Sequence, residues 1–586
     1  MTESSATFRG IPASPGIAMG FVHVFDEGKL TIPRKTVPRK DVEGEVLRFD
    51  STLSDVRKQL KALKNKVSQE QGDEHVYLFD AQLMMLGDKS LIDDTRELIR
   101  SQQINVEWAL QKALERFKSL FDEIDDEYFR DRRSDIEYME ERLLRSLLGS
   151  KENSYVSIQT QTILVANDLA PADLARMNRE NICAIATDIG GRTSHTAIIA
   201  KSLEIPMVTG LGDFSLNVYN GVRLIIDGNT GLILVHPDAN LWARYQEKQK
   251  EYLESREELL KNRHHKAETK DHNVVHLQAN VDFLEELSSV DHYGAEGIGM
   301  LRTEHLFLGG NIPVSEEDQF LQYKQAVEKA KPHETVIRLL DLPGDDLFSP
   351  PAGTAAHHRN PALGLRGIRF LLREEELLRT QVRAILRASA FGRVAFLYPM
   401  ISNVEEVRQT NQRVRDFMKE LEKEGIGFDP DVRIGVMIET PSAAMTADKL
   451  AQEVDFFSIG TNDLVQYTLG VDRENELVAH LYDPSHVAVL KLIQMTVEKA
   501  HKAGIEVGVC GEIASEPMYV PILVALECNF LSMRANAIPQ AKQIIRDLTM
   551  TEARDWLAEI LDLDTPKEIR SRLSARYSGR FRALPA

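Results

Sequence analysis

One histidine stands in a run of residues suited to carrying a phosphoryl group. His195 follows Gly190-Gly191-Arg192-Thr193-Ser194 and precedes Thr196-Ala197-Ile198-Ile199-Ala200. Two glycines permit a tight turn and close approach of backbone to a ligand. Thr193 and Ser194 offer N-cap hydroxyls, and the spacing of Ile198, Ile199 and Leu203 predicts a helix behind them. His195 is therefore expected in the first helical turn, where free N–H groups and the positive dipole end converge. That setting disfavours imidazolium, keeps the ring nucleophilic and welcomes a phosphate. Arg192 adds a fixed positive charge beside it. A lone histidine at a helix start more often caps or packs. The glycine pair, the arginine and two hydroxyls favour chemistry instead: transfer of a phosphoryl group onto a histidine nitrogen.

A second set of candidates is scattered over the last 300 or so residues. Glu439 and Asp463 each close an apolar run, and two carboxylates on neighbouring strand ends make the hard oxygen site that Mg²⁺ prefers. The plain alternative is a carboxylate pair satisfied by nearby arginines. Arg302, Arg338, Arg366 and Arg473 supply planar forks for phosphate and carboxylate, and Asn462 offers a further donor. Cys510, in Gly508-Val509-Cys510-Gly511-Glu512, is inert filler if it only packs. Beside a cation and arginines its thiol could act as acid or base on a carbon centre. Cys183 and Cys528 read as structural.

These residues make one site only if the chain closes a barrel. Eight apolar runs, at 274–281, 297–302, 336–341, 394–400, 434–439, 456–463, 506–510 and 530–533, are each followed by helical sequence, which matches a TIM (β/α)8 barrel over 271–575. Arg302, Arg338, Glu439, Asn462 with Asp463, and Cys510 then fall at the strand ends where such barrels place their chemistry. Upstream, residues 1–37 and 149–238 read as one α/β domain around His195, with strands at 7–25, 162–166, 184–187, 206–208 and 224–226. Between its halves, residues 38–148 carry apolar residues at helical spacing with little proline or glycine, an all-α bundle. Residues 239–270 are charge-dense and read as a solvated linker helix, and 576–586 as a tail.

At 586 residues the chain exceeds one core. A net charge of −19 argues against nucleic acid or an anionic membrane as partner. Three widely spaced cysteines argue against a disulfide framework or a zinc site. Neither a signal-peptide pattern nor a membrane-length apolar run is present, so the expected location is cytoplasmic.

Taken in order, GGRTSHTAIIAKSLEIP, LRTEHLFL, VIRLLD, NPALGLRGIR, LRASAFG, MIETPSA, FFSIGTNDLVQYTLGVDR and VCGE are similar to the signatures of one family. They resemble those of enzyme I of the sugar phosphotransferase system, the phosphoenolpyruvate–protein phosphotransferases. The helical insert matches as well (FDAQLMMLGD, NVEWAL, RRSDIEYMEERLL). The resemblance implies that His195 takes the phosphoryl group of phosphoenolpyruvate and hands it to a histidine of the carrier HPr, docked on the insert. It implies that Arg302, Arg338, Arg366, Asn462 and Arg473 hold phosphoenolpyruvate, and that Glu439 and Asp463 bind Mg²⁺. Cys510 would protonate the enolate to pyruvate. A homodimer through the barrels and a swivelling histidine domain are implied too. Nothing implies a nucleic-acid or membrane partner.

The chain departs from the family pattern at Asp346, where a lysine is common, at Ser515-Glu516 in place of Gly-Asp, at Arg534 in place of a serine, and at Leu174 in place of a threonine. ATP-dependent relatives, the pyruvate phosphate dikinases and phosphoenolpyruvate synthases, also need a large nucleotide-binding domain, which is not expected here. Nor is the sensory domain of the nitrogen-regulatory paralogue. A regulatory protein that only senses phosphoenolpyruvate is the rival of another class; the departures near Asp346 and Arg534 are its support, and the retained His195, Cys510, Glu439 and Asp463 speak against it.

Overall fold

The computed structural model describes residues 6–25, 33–71, 86, 89–122, 139, 143–144, 146–148, 161–169, 181–191, 196–197, 200, 204–307, 314–342, 361–473 and 478–581. Two compact units divide between Leu253 and Glu254. His195, Arg192, Leu174 and Asp346 lie outside the described residues, as do parts of the helical insert.

The first unit is built on one sheet of eight strands: β1 (Ala6–Arg9), β2 (Ile11–Ser14), β3 (Ile17–Phe25), β4 (Thr162–Ala166), β5 (Ile182–Thr187), β6 (Met207–Thr209), β7 (Arg223–Asp227) and β8 (Leu232–Val235). Their order is β1-β8-β7-β3-β4-β5-β6-β2. β3 to β6 run parallel, while β7 is antiparallel to both β3 and β8. The central strands are buried on both faces and are accordingly near-continuous apolar runs, TILVA and ICAIAT. β3 and β4 pair although the helices Val42–Gln71, Lys89–Gln102 and Val106–Asp122 separate them in sequence. Those helices close their own core around Phe49, Leu53, Leu60, Leu110 and Leu114.

The helix Ala239–Lys261 differs from the solvated linker expected at 239–270. Its buried Tyr245 packs with Leu241, Trp242 and Tyr252 against Ile17, Met19, Ile225 and Leu234 of the sheet. Lys248 Nζ reaches the buried Asp227 Oδ2 at 2.9 Å, and Gln249 Nε2 donates to Ile17 O at 2.8 Å. Most of its charges face away from the sheet, and an apolar stripe at three- and four-residue spacing, with Lys248 beside it, covers the other face. The helix stops at Lys261.

In the second unit eight parallel strands close a barrel: β9 (His276–Val281), β10 (Ile298–Leu301), β11 (Thr335–Arg338), β12 (Val394–Tyr398), β13 (Arg433–Ile438), β14 (Phe456–Ile459), β15 (Glu506–Val509) and β16 (Phe530–Arg534). All eight fall within or overlap the predicted runs. Helices follow the strands and bury their inner faces against them; Val404–Glu424 shows how sharply the sequence marks their ends. Asn403 and Glu406 form a capping box at its start, and Gly425 ends it at φ +71. Met300, Val336, Leu397, Met437, Phe456 and Phe530 fill the barrel's interior, with Cys510 among them. Among the described residues no helix is long and apolar enough to cross a membrane.

Candidate active site

Arg338 is the last residue of β11, Arg302 follows β10 by one residue, and Glu439 and Cys510 follow β13 and β15 likewise. The barrel therefore brings them to one end. β14 is shorter than the predicted 456–463. It stops at Ile459, Gly460 turns the chain, and Asn462 and Asp463 lie in the first turn of the helix Thr461–Leu469. The close fit is set by glycine: a Cβ on Gly460 would stand 2.9 Å from Glu439 Oε2, and one on Gly511 would meet Thr461 Oγ1 at 1.9 Å. The two carboxylate-bearing turns and the cysteine turn can thus press together without side chains between them.

The buried Asp341 and the half-buried Glu304 organise the arginines, and the sequence gives neither a role. Asp341 takes Arg366 in a two-pronged grip, Nε to Oδ1 at 3.0 Å and Nη2 to Oδ2 at 2.9 Å. Its Oδ2 also lies 3.4 Å from Arg338 Nη1. Glu304 Oε1 accepts from Arg338 Nη2 and from the Asp341 N–H, both at 2.9 Å. Burial works against the charge on Asp341, but Arg366 and Arg338 outweigh it and hold the carboxyl below its usual range. Burial likewise opposes the charge on both arginines, and the carboxylates beside them raise their already high pKa values further. IRLLD sets Asp341 three residues after Arg338, but no spacing shows that Asp341 grips Arg366 or that the Glu304 of LRTE meets Arg338.

Glu439 and Asp463 are only half satisfied. Glu439 is wholly buried, and its Oε1 accepts the Met400 N–H at 2.5 Å. Met400 holds φ +57 to present that N–H, a left-handed conformation that costs a methionine energy. Glu439 Oε2 and Asp463 Oδ1 are buried without a hydrogen-bond partner among the described residues, although Arg366 Nη2 stands 3.8 Å from Asp463 Oδ2. Burial first, then Asp463 and Asp341, push the Glu439 carboxyl up to about 8, and Arg338 offsets this only in part. Two orphaned carboxylate oxygens that repel one another fit a divalent cation. Among the described residues no three His, Cys, Asp or Glu side chains gather as a metal site. A cation here would complete its shell with water and ligand oxygens, as Mg²⁺ commonly does.

Cys510 is buried, and burial pushes its thiol up to about 11, so at neutral pH it holds its proton. Asn462 Oδ1 accepts the Glu512 N–H at 2.9 Å, which leaves the amide NH₂ as donor. Arg302 faces Asp282 Oδ1 at 3.3 Å. Arg473 is exposed; its N–H donates to Gln466 Oε1 at 3.1 Å, and its side chain lies beside Tyr482, whose hydroxyl donates to Asn462 O. Two of the sequence departures meet: Ser515 Oγ accepts the Arg534 N–H at 3.1 Å. In the first unit the approach to His195 is fixed up to Gly191. The hydroxyls of Thr187 and Thr209 both donate to Ile189 O at 2.9 Å, and Gly190 turns the chain at φ +113.

Comparison with known families covers most of the chain. Residues 9–132 match the PEP-utilising enzyme, N-terminal family, residues 158–231 the PEP-utilising enzyme, mobile domain, and residues 256–550 the PEP-utilising enzyme, PEP-binding domain. A phosphoenolpyruvate-protein phosphotransferase of Priestia megaterium is 38% identical over 561 residues, 96% of this chain and 97% of that one. The Bacillus subtilis (strain 168) protein of the same name is 38% identical over 96% of this chain and 98% of its own length. That of Haemophilus influenzae is 38% identical over 96% of this chain and 97% of its own.

Proposed function

We propose a two-step phosphoryl relay for this chain, which belongs to the family of phosphoenolpyruvate-protein phosphotransferases. In the first step the phosphate and carboxylate of phosphoenolpyruvate take the forks of Arg302, Arg338, Arg366 and Arg473 and the amide of Asn462. A nitrogen of His195 attacks phosphorus as the bond to the enol oxygen breaks. The departing enolate takes the Cys510 proton at its methylene carbon and leaves as pyruvate, and the thiolate regains a proton from water. In the second step phospho-His195 yields its phosphoryl group to a histidine of the small carrier HPr, docked on the helical insert at 38–148.

The observation that carries the first step is the pairing of a buried, protonated thiol with a tightly held arginine cluster at one barrel end. A general acid must hold its proton at working pH, and Cys510 does. Glu439 and Asp463 would hold the divalent cation, Mg²⁺, which supplies positive charge against the phosphoryl and enolate oxygens. Asp341 and Glu304 keep the arginine forks aimed, so their reorganisation does not add to the barrier. One histidine that must meet a donor at the barrel and an acceptor on the insert requires the histidine domain to move between them. We extend the reading to a homodimer through the barrels and to a cytoplasmic location.

Incubation with phosphoenolpyruvate and Mg²⁺ followed by intact-mass measurement tests this reading. One acid-labile phosphoryl group per chain and an equivalent of pyruvate are expected, with none in His195→Ala. An unlabelled wild-type chain, or a label that survives in His195→Ala, would overturn it.

A further inference from the structure

The carbonyl next to the Cys510 thiol is held by a side chain rather than by a strand. The last register pair of β15 with β16 is Val509–Leu531, so Cys510 lies one residue beyond the ladder. Its N–H donates to Ile459 O at 3.1 Å. Its carbonyl accepts a 3.0 Å bond from Asn280 Nδ2, which reaches over from β9. Asn280 Oδ1 in turn accepts from Ser532 Oγ of β16 at 2.5 Å. The amide can be oriented only one way: a carbonyl accepts, so Nδ2 must face Cys510, and Oδ1 is left for the hydroxyl. Ser532 is wholly buried, and β10 makes its room, because a Cβ on Gly299 would lie 2.4 Å from Ser532 Oγ. Three strands thus converge on one backbone carbonyl, and the relay described above uses neither Asn280 nor Ser532.

We infer that Asn280 and Ser532 are positioning residues for Cys510: Ser532 orients the Asn280 amide, the amide fixes the Cys510 carbonyl, and the fixed backbone aims the thiol. The inference rests on Cys510 being the proton donor to the enolate. A general acid is effective only along a narrow approach, and a displacement near 1 Å costs about a hundredfold. The thiol makes a long 3.7 Å approach to Ile459 O and meets the Ser458 hydroxyl, both on β14, so whether it keeps these partners depends on where its own backbone stands. Its direction therefore follows the backbone. Polar groups in a barrel interior otherwise filled by Met300, Leu397 and Phe530 are costly unless each is paired, and this pair satisfies both the amide and the carbonyl.

The test compares Asn280→Ala and Ser532→Ala with wild type in the full chain with Mg²⁺. In Asn280→Ala, kcat for pyruvate release should fall about ten- to a hundredfold, with KM for phosphoenolpyruvate within about twofold. Return of the phosphoryl group from phospho-HPr to His195, which needs no carbon-bound proton, should stay within about twofold. Ser532→Ala should move the same way by less, and it carries the test if Asn280→Ala does not fold. Peptide-mapped alkylation by iodoacetamide should quicken at Cys510 and not at the equally buried Cys528. An unchanged kcat, equal loss in both half-reactions, or faster alkylation at both cysteines would overturn the inference. A wild-type chain that releases no pyruvate would overturn the relay, and this inference with it.

Discussion

Replacing Glu439 with glutamine should make the cation-free barrel more stable at alkaline pH. In the wild-type chain the carboxyl is wholly buried, has one orphaned oxygen and faces Asp463 and Asp341, which together raise its pKa from 4.5 to about 8. Between those values the folded chain keeps a proton that the unfolded chain has released. The native state binds more protons, so stability falls as pH rises through this window and the loss is complete above about 8. At about 1.4 kcal/mol per unit, the ceiling on that loss is about 5 kcal/mol. Glutamine has no proton to lose, still accepts from the Met400 N–H and removes the repulsion on Asp463. Scanning calorimetry from pH 5 to 8.5 in EDTA should show wild type losing stability relative to Glu439→Gln, since the difference isolates this residue from other titrating groups. Mg²⁺ should reverse the loss in wild type, more at pH 8 than at pH 6, and do little for the variant. Parallel pH profiles in EDTA, or equal stabilisation of both proteins by Mg²⁺, would refute the reasoning.

Asp341→Asn should destabilise the barrel by about 3–5 kcal/mol, because the buried Arg338 and the half-buried Arg366 lose a shared countercharge; a denaturant titration measures it. The same variant should bind phosphoenolpyruvate more weakly at any pH where it remains folded, which isothermal titration would show. Gly511→Ala drives a methyl into Thr461 Oγ1 and should cost about 1–3 kcal/mol. It should also slow pyruvate release by moving Cys510 relative to Asn462. A melt and a coupled pyruvate assay check the two effects together.

Much of the barrel could be read from the chain because most of its strands are short apolar runs, several of them closed by a polar residue. β13 shows this plainly: RIGVMI is followed directly by Glu439. β14 misled because FFSIG runs straight into Thr-Asn-Asp, residues equally at home in a turn. Only the tertiary structure shows Gly460 breaking the strand so that Asp463 rides the first turn of a helix. The Ala239–Lys261 helix misled for the opposite reason, since abundant charge hid the stripe of Leu241, Trp242, Tyr245 and Tyr252. β8 follows β7 through a tight turn at Gly231 and is only four residues long, too short to mark itself by alternation. Asp341, Glu304 and Asn280 were invisible for a further reason. Their importance lies in which atoms they face across the barrel, and no spacing along the chain encodes that. Arg338 and Glu439 stand at strand ends as the sequence suggests, whereas Asp463 rides the helix after β14 and Arg366 joins them from the loop before the helix at Ile368; Arg473 is exposed.

The most direct test of the relay compares its two half-reactions in Cys510→Ala. Rapid quench would follow phosphorylation of the chain from phosphoenolpyruvate, and separately from phospho-HPr. A loss of about a hundredfold or more is expected in the first and a change within about twofold in the second, because only the first protonates carbon. Equal loss in both, or none in either, would contradict the assignment of the buried thiol as the acid of the phosphoenolpyruvate step.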